Sequence, residues 1–306
     1  MFNKQFVNGG NGYSNGVKSK KVNYGLSKKT SVTSIKNGTT VTGNKSNDKK
    51  TNGLYFTADK EGHKEPRDLY DGDLSYGPAP ESQAALNAWL NQHDKKFGLF
   101  IDNQWYYPEN RKYRTSYCPA TKEAICETLE ATDEDVDLAM KSSSVAQKKW
   151  AALPCHERAK HLYAVARHVQ KHQRMLAVVE ALDNGKSFRE TRDCDIPIVA
   201  RHIYHYAGWA QLRDIEMKEW APLGVVAGIV PWNFPLMLLV WKFAPALAMG
   251  NTIVIKPASY TRLSALLFAE ICAEAGLPPG VFNIITGSGR IGSCMVDHPL
   301  TDKVGF

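Results

Sequence analysis

Asn233 stands between two prolines in the pentapeptide PWNFP, residues 231–235, where the apolar run LGVVAGIV gives way to PLMLLVWKFAPALAM. Pro231 and Pro235 fix φ on either side and remove two backbone donors, so the amide between them is held stiffly. A rigid neutral donor suits an oxyanion better than a carboxylate would, and loss of one such donor typically costs about 2.7 to 4 kcal/mol of transition-state stabilisation. By residue type alone, Asn233 serves equally well as the cap of the helix that follows. Lys256 ends the next apolar run, NTIVIK. An ammonium there can reach ribose hydroxyls or a phosphate; the plainer alternative is a solvated charge at a strand end.

GSGRIG, residues 287–292, matches GxGxxG through Gly287, Gly289 and Gly292. It follows the third strand of its unit rather than the first, and little sequence follows it to supply a ribose-binding acid about 20 residues on. It reads better as a glycine-rich strand-to-helix turn at which an adenine or ribose approaches the backbone closely. His161, His168 and His172 fall roughly on one helix face but lack a carboxylate motif, so no metal site is expected. Cys118, Cys126, Cys155, Cys194, Cys272 and Cys294 are widely spaced with no CxxC pair, which points to reduced thiols and a cytoplasmic protein.

The elements that must position these residues follow from periodicity. LGVVAGIV, NTIVIK and VFNIIT are strands, separated by the helices PLMLLVWKFAPALAM and SALLFAEICAEA, which stop at Gly250 and Gly276. This βαβαβ order predicts a parallel sheet buried on both faces over residues 223–306, with TDKVGF opening one more strand. Upstream, FGLFIDNQWYYPENRKYRTSYCP suggests a strand pair around turns at Asp102-Asn103 and Pro108 to Asn110. Thr132 caps a helix carrying Val136, Met140, Ala146 and Trp150 on one face. HERAKHLYAVARHVQKHQRMLAVVEALDNG reads as one long helix ending at Asn184-Gly185, and DCDIPIVARHIYHYAGWA as another. Near the start, Pro80 and Glu81 open a short helix with Ala85, Leu86, Trp89 and Leu90 on one face. The fold class is therefore α/β, an incomplete Rossmann-type sheet preceded by helices and a short strand pair.

With 306 residues, 43% of them hydrophobic, the chain can bury a sizeable core. Lys and Arg number 38 against 31 Asp and Glu, but residues 1–75 hold 13 of the basic and 7 of the acidic side chains, leaving 25 against 24 in the remainder. The remainder is nearly neutral, and the basic segment lacks aromatic interleaving or amphipathic period, so neither nucleic acid nor membrane is an expected partner. Residues 1–75, rich in Asn, Gly, Lys, Ser and Thr, read as a disordered tail, and residues 76–306 as the folded part. The beginning has no apolar signal core, and Pro231, Asn233, Pro235, Lys242 and Pro245 interrupt the one stretch apolar enough to suggest a membrane span.

The combination of Pro222 to Val225, PWNFP, WKFAPALAMGNTIVIKPAS, EAGLPPGVFNIITG and DKVGF resembles the aldehyde dehydrogenase superfamily over roughly residues 97–306. In addition, YGPAPESQAALNAWL at 76–90 resembles the leader of the family 16 branch, which has members lacking the nucleophile. The resemblance implies an aldehyde-dehydrogenase-like fold and NAD- or NADP-dependent oxidation of an aldehyde to a carboxylic acid. It assigns Asn233 to the oxyanion hole, and Ile229, Pro231, Trp232, Lys256, Ser259 and Gly289 to the cofactor surface. Phe234 and Trp241 fall at positions that shape the aldehyde channel. Ser259 departs from the glutamate common in NAD-preferring members, which makes NADP admissible. The resemblance further places the attacking cysteine and the general-base glutamate beyond Phe306, so the chain reads as an N-terminal fragment, inactive alone, of an enzyme that is a homo-oligomer when full length. The alternative is a non-catalytic pseudoenzyme acting as an interaction protein.

Overall fold

The computed structural model describes residues 79–306. The expectation of a disordered tail falls on residues outside those described. The first helix, α1 (Ala84–Gln92), buries Leu86, Trp89 and Leu90, as the spacing predicts, but it begins at Ala84 and leaves Ala85 in solvent. Pro80 belongs to a turn ahead of it rather than to its first turn.

The expected strand pair is part of a larger arrangement. β2 (Leu99–Ile101) and β3 (Gln104–Tyr106) form an antiparallel hairpin whose turn residues, Asp102 and Asn103, have φ of 54° and 60°. Asp and Asn tolerate that left-handed region, and two such residues in succession give the turn whose twist suits a two-residue hairpin. β4 (Tyr113–Tyr117) does not join them. It pairs with β5 (Ala124–Leu129), beside which β1 (Lys96–Phe97) lies parallel, in a separate three-stranded sheet. β5 is missing from the periodicity reading because its buried positions run in doublets, Ile125-Cys126 and Thr128-Leu129, instead of alternating.

α2 (Asp133–Ala152) starts as expected, with a reciprocal capping box between Thr132 and Asp135, and buries Val136, Met140, Ala146 and Trp150. The long helix predicted next is two helices, α3 (Cys155–Lys171) and α4 (Gln173–Asn184), broken at His172, where φ is −98° and ψ 8°. The Nε2 of His172 lies 3.0 Å from Glu274 of a later helix, a contact that local periodicity does not contain. Gly185, with φ of 87°, ends α4 in the left-handed conformation that glycine adopts without a Cβ penalty. A single turn and a π-helical stretch, Thr191–Asp195, lead into α5 (Ile196–Glu216).

The last third follows the predicted alternation: β6 (Val225–Ile229), α6 (Pro235–Ala248), β7 (Thr252–Lys256), α7 (Leu263–Glu274), β8 (Phe282–Ile284), α8 (Gly289–Asp297) and β9 (Lys303–Gly305). The sheet runs β3-β2-β8-β7-β6-β9, with β8, β7, β6 and β9 parallel and β2 antiparallel to β8. Alternate strand residues feed two cores. Val226, Ile253 and Ile255 pack with α6 and α7, where Phe243, Phe268 and Phe282 meet edge to face with centroids 4.9 to 5.7 Å apart. Val225, Ala227 and Val254 pack on the other face with Val136 and Met140 of α2 and Ile291 and Met295 of α8. Burial on both faces is what turns these strands into continuous apolar runs.

Candidate functional site at the carboxyl edge of the sheet

All three strand-to-helix turns, residues 230–234, 257–262 and 285–288, emerge at the carboxyl ends of parallel strands, the edge where open α/β sheets bind ligands. PWNFP forms the first turn. The N-cap position of α6 is Phe234 and carries no side-chain cap, so Asn233 does not cap the helix. Among the described residues no hydrogen bond engages the Asn233 amide, which is exposed at the surface. Its donors are free for a ligand.

Lys256 is not a solvated charge. It is 5% exposed, and its Nζ donates to the Pro257 carbonyl at 3.0 Å and lies 3.5 Å from the Gly287 carbonyl. Burial pushes its pKa down, the nearby Arg262 adds to that, and Glu130 opposes it. An ammonium carries three donors, and two carbonyl contacts leave one with no protein acceptor among the described residues. A buried cation one bond short of satisfaction is suited to a hydroxyl or anionic oxygen of a ligand.

Gly289 and Gly292 complete this cleft, a cavity of about 380 Å³ lined by Ile229, Lys256, Gly289, Gly292, Ser293 and Val296 among others. A Cβ added to Gly289 would meet nothing within 4 Å, so the backbone there faces open space. A Cβ at Gly292 would press on Lys256 Cε at 3.2 Å and Ile229 Cδ1 at 3.4 Å, narrowing the cleft between the two residues a ligand would touch. Gly287 answers to a different need, since its Cβ would collide with Ile291 at 2.7 Å, and its absence lets α8 turn tightly off the strand.

The structure brings Ile229, Lys256 and Gly289 into one cleft. Trp232 and Ser259 line another, larger one of about 1070 Å³, with Asp183, Asn184 and Tyr260. Lys256 of the first cleft and Ser259 of the second share one carbonyl, that of Gly287, which accepts from Ser259 Oγ at 3.1 Å and lies 3.5 Å from Lys256 Nζ. Pro231 is exposed between them in sequence and lines neither. Trp241 stands apart, in an apolar cleft with Trp220, Leu223 and Phe306, its ring meeting His202 edge-on at 5.3 Å. Phe234 is half-buried beneath Lys186, whose Nζ sits 3.5 Å from the ring centroid.

What periodicity misses lies under PWNFP. Neither α6 nor α7 caps itself: α6 begins at a proline behind Phe234, and α7 behind Arg262. Both are capped from outside by buried carboxylates of α4. Glu180 Oε1 accepts from Leu236 N at 3.2 Å, and Asp183 Oδ2 accepts from Leu263 N at 2.8 Å. Carboxylates at helix N-termini meet free N–H groups and the positive end of the helix dipole. Burial nevertheless dominates, raising Glu180 to about 7 and Asp183 to about 6. The signal was present in AVVEALDNG: Glu180 lies four residues from Leu176 and three from Ala177, both fully buried, and so on the apolar face of its helix.

The histidines of α3 and the break after it are scattered in role. His161 stacks against Trp150, His168 Nδ1 contacts the Ala164 carbonyl and His172 faces Glu274. Among the described residues no group of three His, Cys, Asp or Glu could hold a metal ion, and no helix is long and apolar enough to cross a membrane. Burial pushes the thiols of Cys126, Cys155, Cys272 and Cys294 up, away from the reactive thiolate form.

A mostly parallel sheet covered on both faces, with a free amide, a buried ammonium and an open glycine along one edge, is the arrangement of an α/β protein whose carboxyl edge suits a ligand. The aldehyde dehydrogenase family model matches residues 105–306, and the chain belongs to the aldehyde dehydrogenase family. It is 38% identical to an aldehyde dehydrogenase of Alternaria alternata over 227 residues, 70% of this chain and 46% of that protein. It is 36% identical to human retinaldehyde dehydrogenase 3 over 251 residues, 77% of this chain and 49% of that one. The NAD+ complex of the Bacillus cereus aldehyde dehydrogenase superposes with a TM-score of 0.68 at 36% identity, covering 73% of this chain and 48% of the other. The Pseudomonas syringae aldehyde dehydrogenase C, a cysteine-to-alanine mutant in complex with NAD+ and octanal, superposes at 0.66 and 32% identity, covering 68% and 44%. The chain thus spans about half the length of the relatives it matches.

Proposed function

We propose that this chain supplies the cofactor-binding and oxyanion part of an NAD(P)-dependent aldehyde dehydrogenase, oxidising an aldehyde to a carboxylic acid. The observation that carries the reading is Lys256: a buried ammonium with one unused donor, in a cleft whose glycines leave room for a nucleoside. Structures of family relatives with NAD+ bound support the same cofactor class here. In this reading Lys256 holds the adenosine ribose, Ile229 and Gly289 wall the cleft, and Ser259 stands where a carboxylate would oppose a 2′-phosphate. Pro231 and Trp232 present the loop toward the nicotinamide, which accepts the hydride when the cofactor is bound. Asn233 donates to the aldehyde oxygen as that oxygen gains negative charge, and Phe234 and Trp241 border the substrate's approach. The region from 76 to 306 acts as the N-terminal part of the dehydrogenase domain, with the cofactor unit at 223–306.

Calorimetric titration of the 306-residue chain with NAD and NADP tests the cofactor reading. Binding of at least one is expected, and Lys256→Ala should weaken it about tenfold to a hundredfold, the loss of one hydrogen bond from a charged donor. Absence of binding to both, or binding unmoved by Lys256→Ala, overturns it.

A further inference from the structure

Three side chains from α4 and the turn after it hold two residues of PWNFP and the first turn of the helix that follows. Asn184 Nδ2 donates to the Trp232 carbonyl at 2.6 Å, Lys186 Nζ lies 3.5 Å over the Phe234 ring, and Glu180 Oε1 accepts from Leu236 N at 3.2 Å. Trp232 is held at its carbonyl, Phe234 at its ring and Leu236 at its N–H, while the Asn233 amide between the first two is left free. Lys186 is itself fixed by Asp195, 2.8 Å away and almost wholly buried. The two prolines stiffen the loop but do not attach it to anything; attachment comes from α4.

We infer that Glu180, Asn184 and Lys186 are positioning residues for Asn233, a three-point clamp that sets where its amide points. The consequence for aldehyde oxidation rests on the oxyanion role given to Asn233 above. The clamp itself does not, and it is measurable without turnover.

The Glu180 link carries a distinguishing signature. The groups facing its carboxyl are the Leu236 N–H of α6, the Ser264 hydroxyl of α7, Asp195 of the π-helical stretch and Lys186. Burial is the largest influence and raises Glu180 to about 7; the Ser264 and Leu236 contacts and Lys186 pull it down, and Asp195 pushes it up. Since the Leu236 bond favours the ionised form, ionisation strengthens that bond in return. The clamp therefore tightens as pH rises through 7. Global stability moves the opposite way for the same group, because burial disfavours its charge, so the two effects separate by sign.

Hydrogen exchange of the 306-residue chain, resolved to the Leu236 amide and expressed as protection relative to the free peptide rate, reads the clamp. Protection of Leu236 should fall about fivefold from pH 8 to pH 6, the difference between a hydrogen bond to a charged and to a neutral acceptor. Glu180→Gln keeps an acceptor and removes the titration, so its protection should be flat over that range. Asn184→Ala should raise exchange across 232–238 while leaving β6 and β7 unchanged. Retained pH dependence in Glu180→Gln, or an equal rise of exchange in β7 for either variant, would show that these residues merely pack the core and overturn the clamp. In a chimera carrying residues 97–306 in place of the matching half of the Bacillus cereus enzyme, Asn184→Ala should lower kcat with KM little changed. Unchanged kcat there while Asn233→Ala in the same chimera lowers it would overturn the positioning role, whereas unchanged kcat in both variants would remove Asn233 from the chemistry and leave the clamp to the exchange results.

Discussion

At the scale of single residues, the site is built from groups that local structure leaves unsatisfied. Asn233 has a free amide, Lys256 one free donor, and Glu180 an Oε2 without a geometrically sound hydrogen bond. The first two face a cleft or solvent and are proposed to meet a ligand. In the chimera, Asn233→Ala should lower kcat by about 10²- to 10³-fold, the usual effect of removing one oxyanion donor; steady-state NAD(P)H formation that is undiminished would remove that role while leaving the cofactor site untouched. Ser259→Glu should shift the ratio of the two dissociation constants toward NAD, and an unchanged ratio would show that another residue selects the cofactor. Glu180 has a thermodynamic reading of its own. Its folded pKa is raised from 4.5 to about 7, so its contribution to stability is largest below 4.5 and is lost as pH rises through 7. Denaturant titrations at pH 5 and pH 8 should show Glu180→Gln gaining about 2 to 3 kcal/mol relative to the parent between the two. A constant difference between parent and variant would mean that Glu180 stays ionised throughout.

At the scale of elements, close backbone approach decides the order of the layers. Gly280 has φ of 76°, and a Cβ there would meet Ala146 Cβ at 2.8 Å and the Ser142 carbonyl at 3.0 Å, while its own carbonyl accepts from Ser143 Oγ. α2 therefore sits directly on the turn that launches β8. Gly280→Ala combines a left-handed penalty with overpacking and should cost about 2 to 4 kcal/mol in urea unfolding; a loss under about 1 kcal/mol would mean that α2 shifts freely. The apolar periods made the βαβαβ unit legible from sequence, because strands buried on both faces and helices stopped by Gly250 and Gly276 are local facts. The break at His172, the strand β5 and the partner of β4 were not legible, since each goes with a contact that local periodicity does not contain. The same division holds at the site. PWNFP, Lys256 and GSGRIG declare themselves by position after a strand, whereas the clamp joins residues about 50 positions apart, and its members read locally as the ordinary end of a helix.

At the scale of the whole molecule, an apolar patch among the described residues lies beside one edge of the large sheet. β9 pairs with β6 on one side and, among the described residues, with nothing on the other, so its outward donors and acceptors are unpaired. Next to it Trp220, Leu223, Trp241 and Phe306, exposed by 69%, 61%, 48% and 94%, line a cleft of about 590 Å³ with Lys242, Lys303 and Gly305. An open strand edge joined to an apolar patch is a template for pairing with another chain. The clefts that hold Lys256 and Ser259 do not share that lining, apart from Phe306 at the rim of the smaller one. Self-association of the 306-residue chain is therefore expected to rise with concentration in sedimentation velocity, and to diminish in Val304→Lys, which places a charge on the edge strand without touching the proposed cofactor contacts. Cofactor binding measured on the same variant should be unchanged. A chain that stays monomeric at every concentration would mean that the edge is already protected by its short length, and loss of cofactor binding in Val304→Lys would mean that β9 holds the cleft in shape rather than merely bordering it.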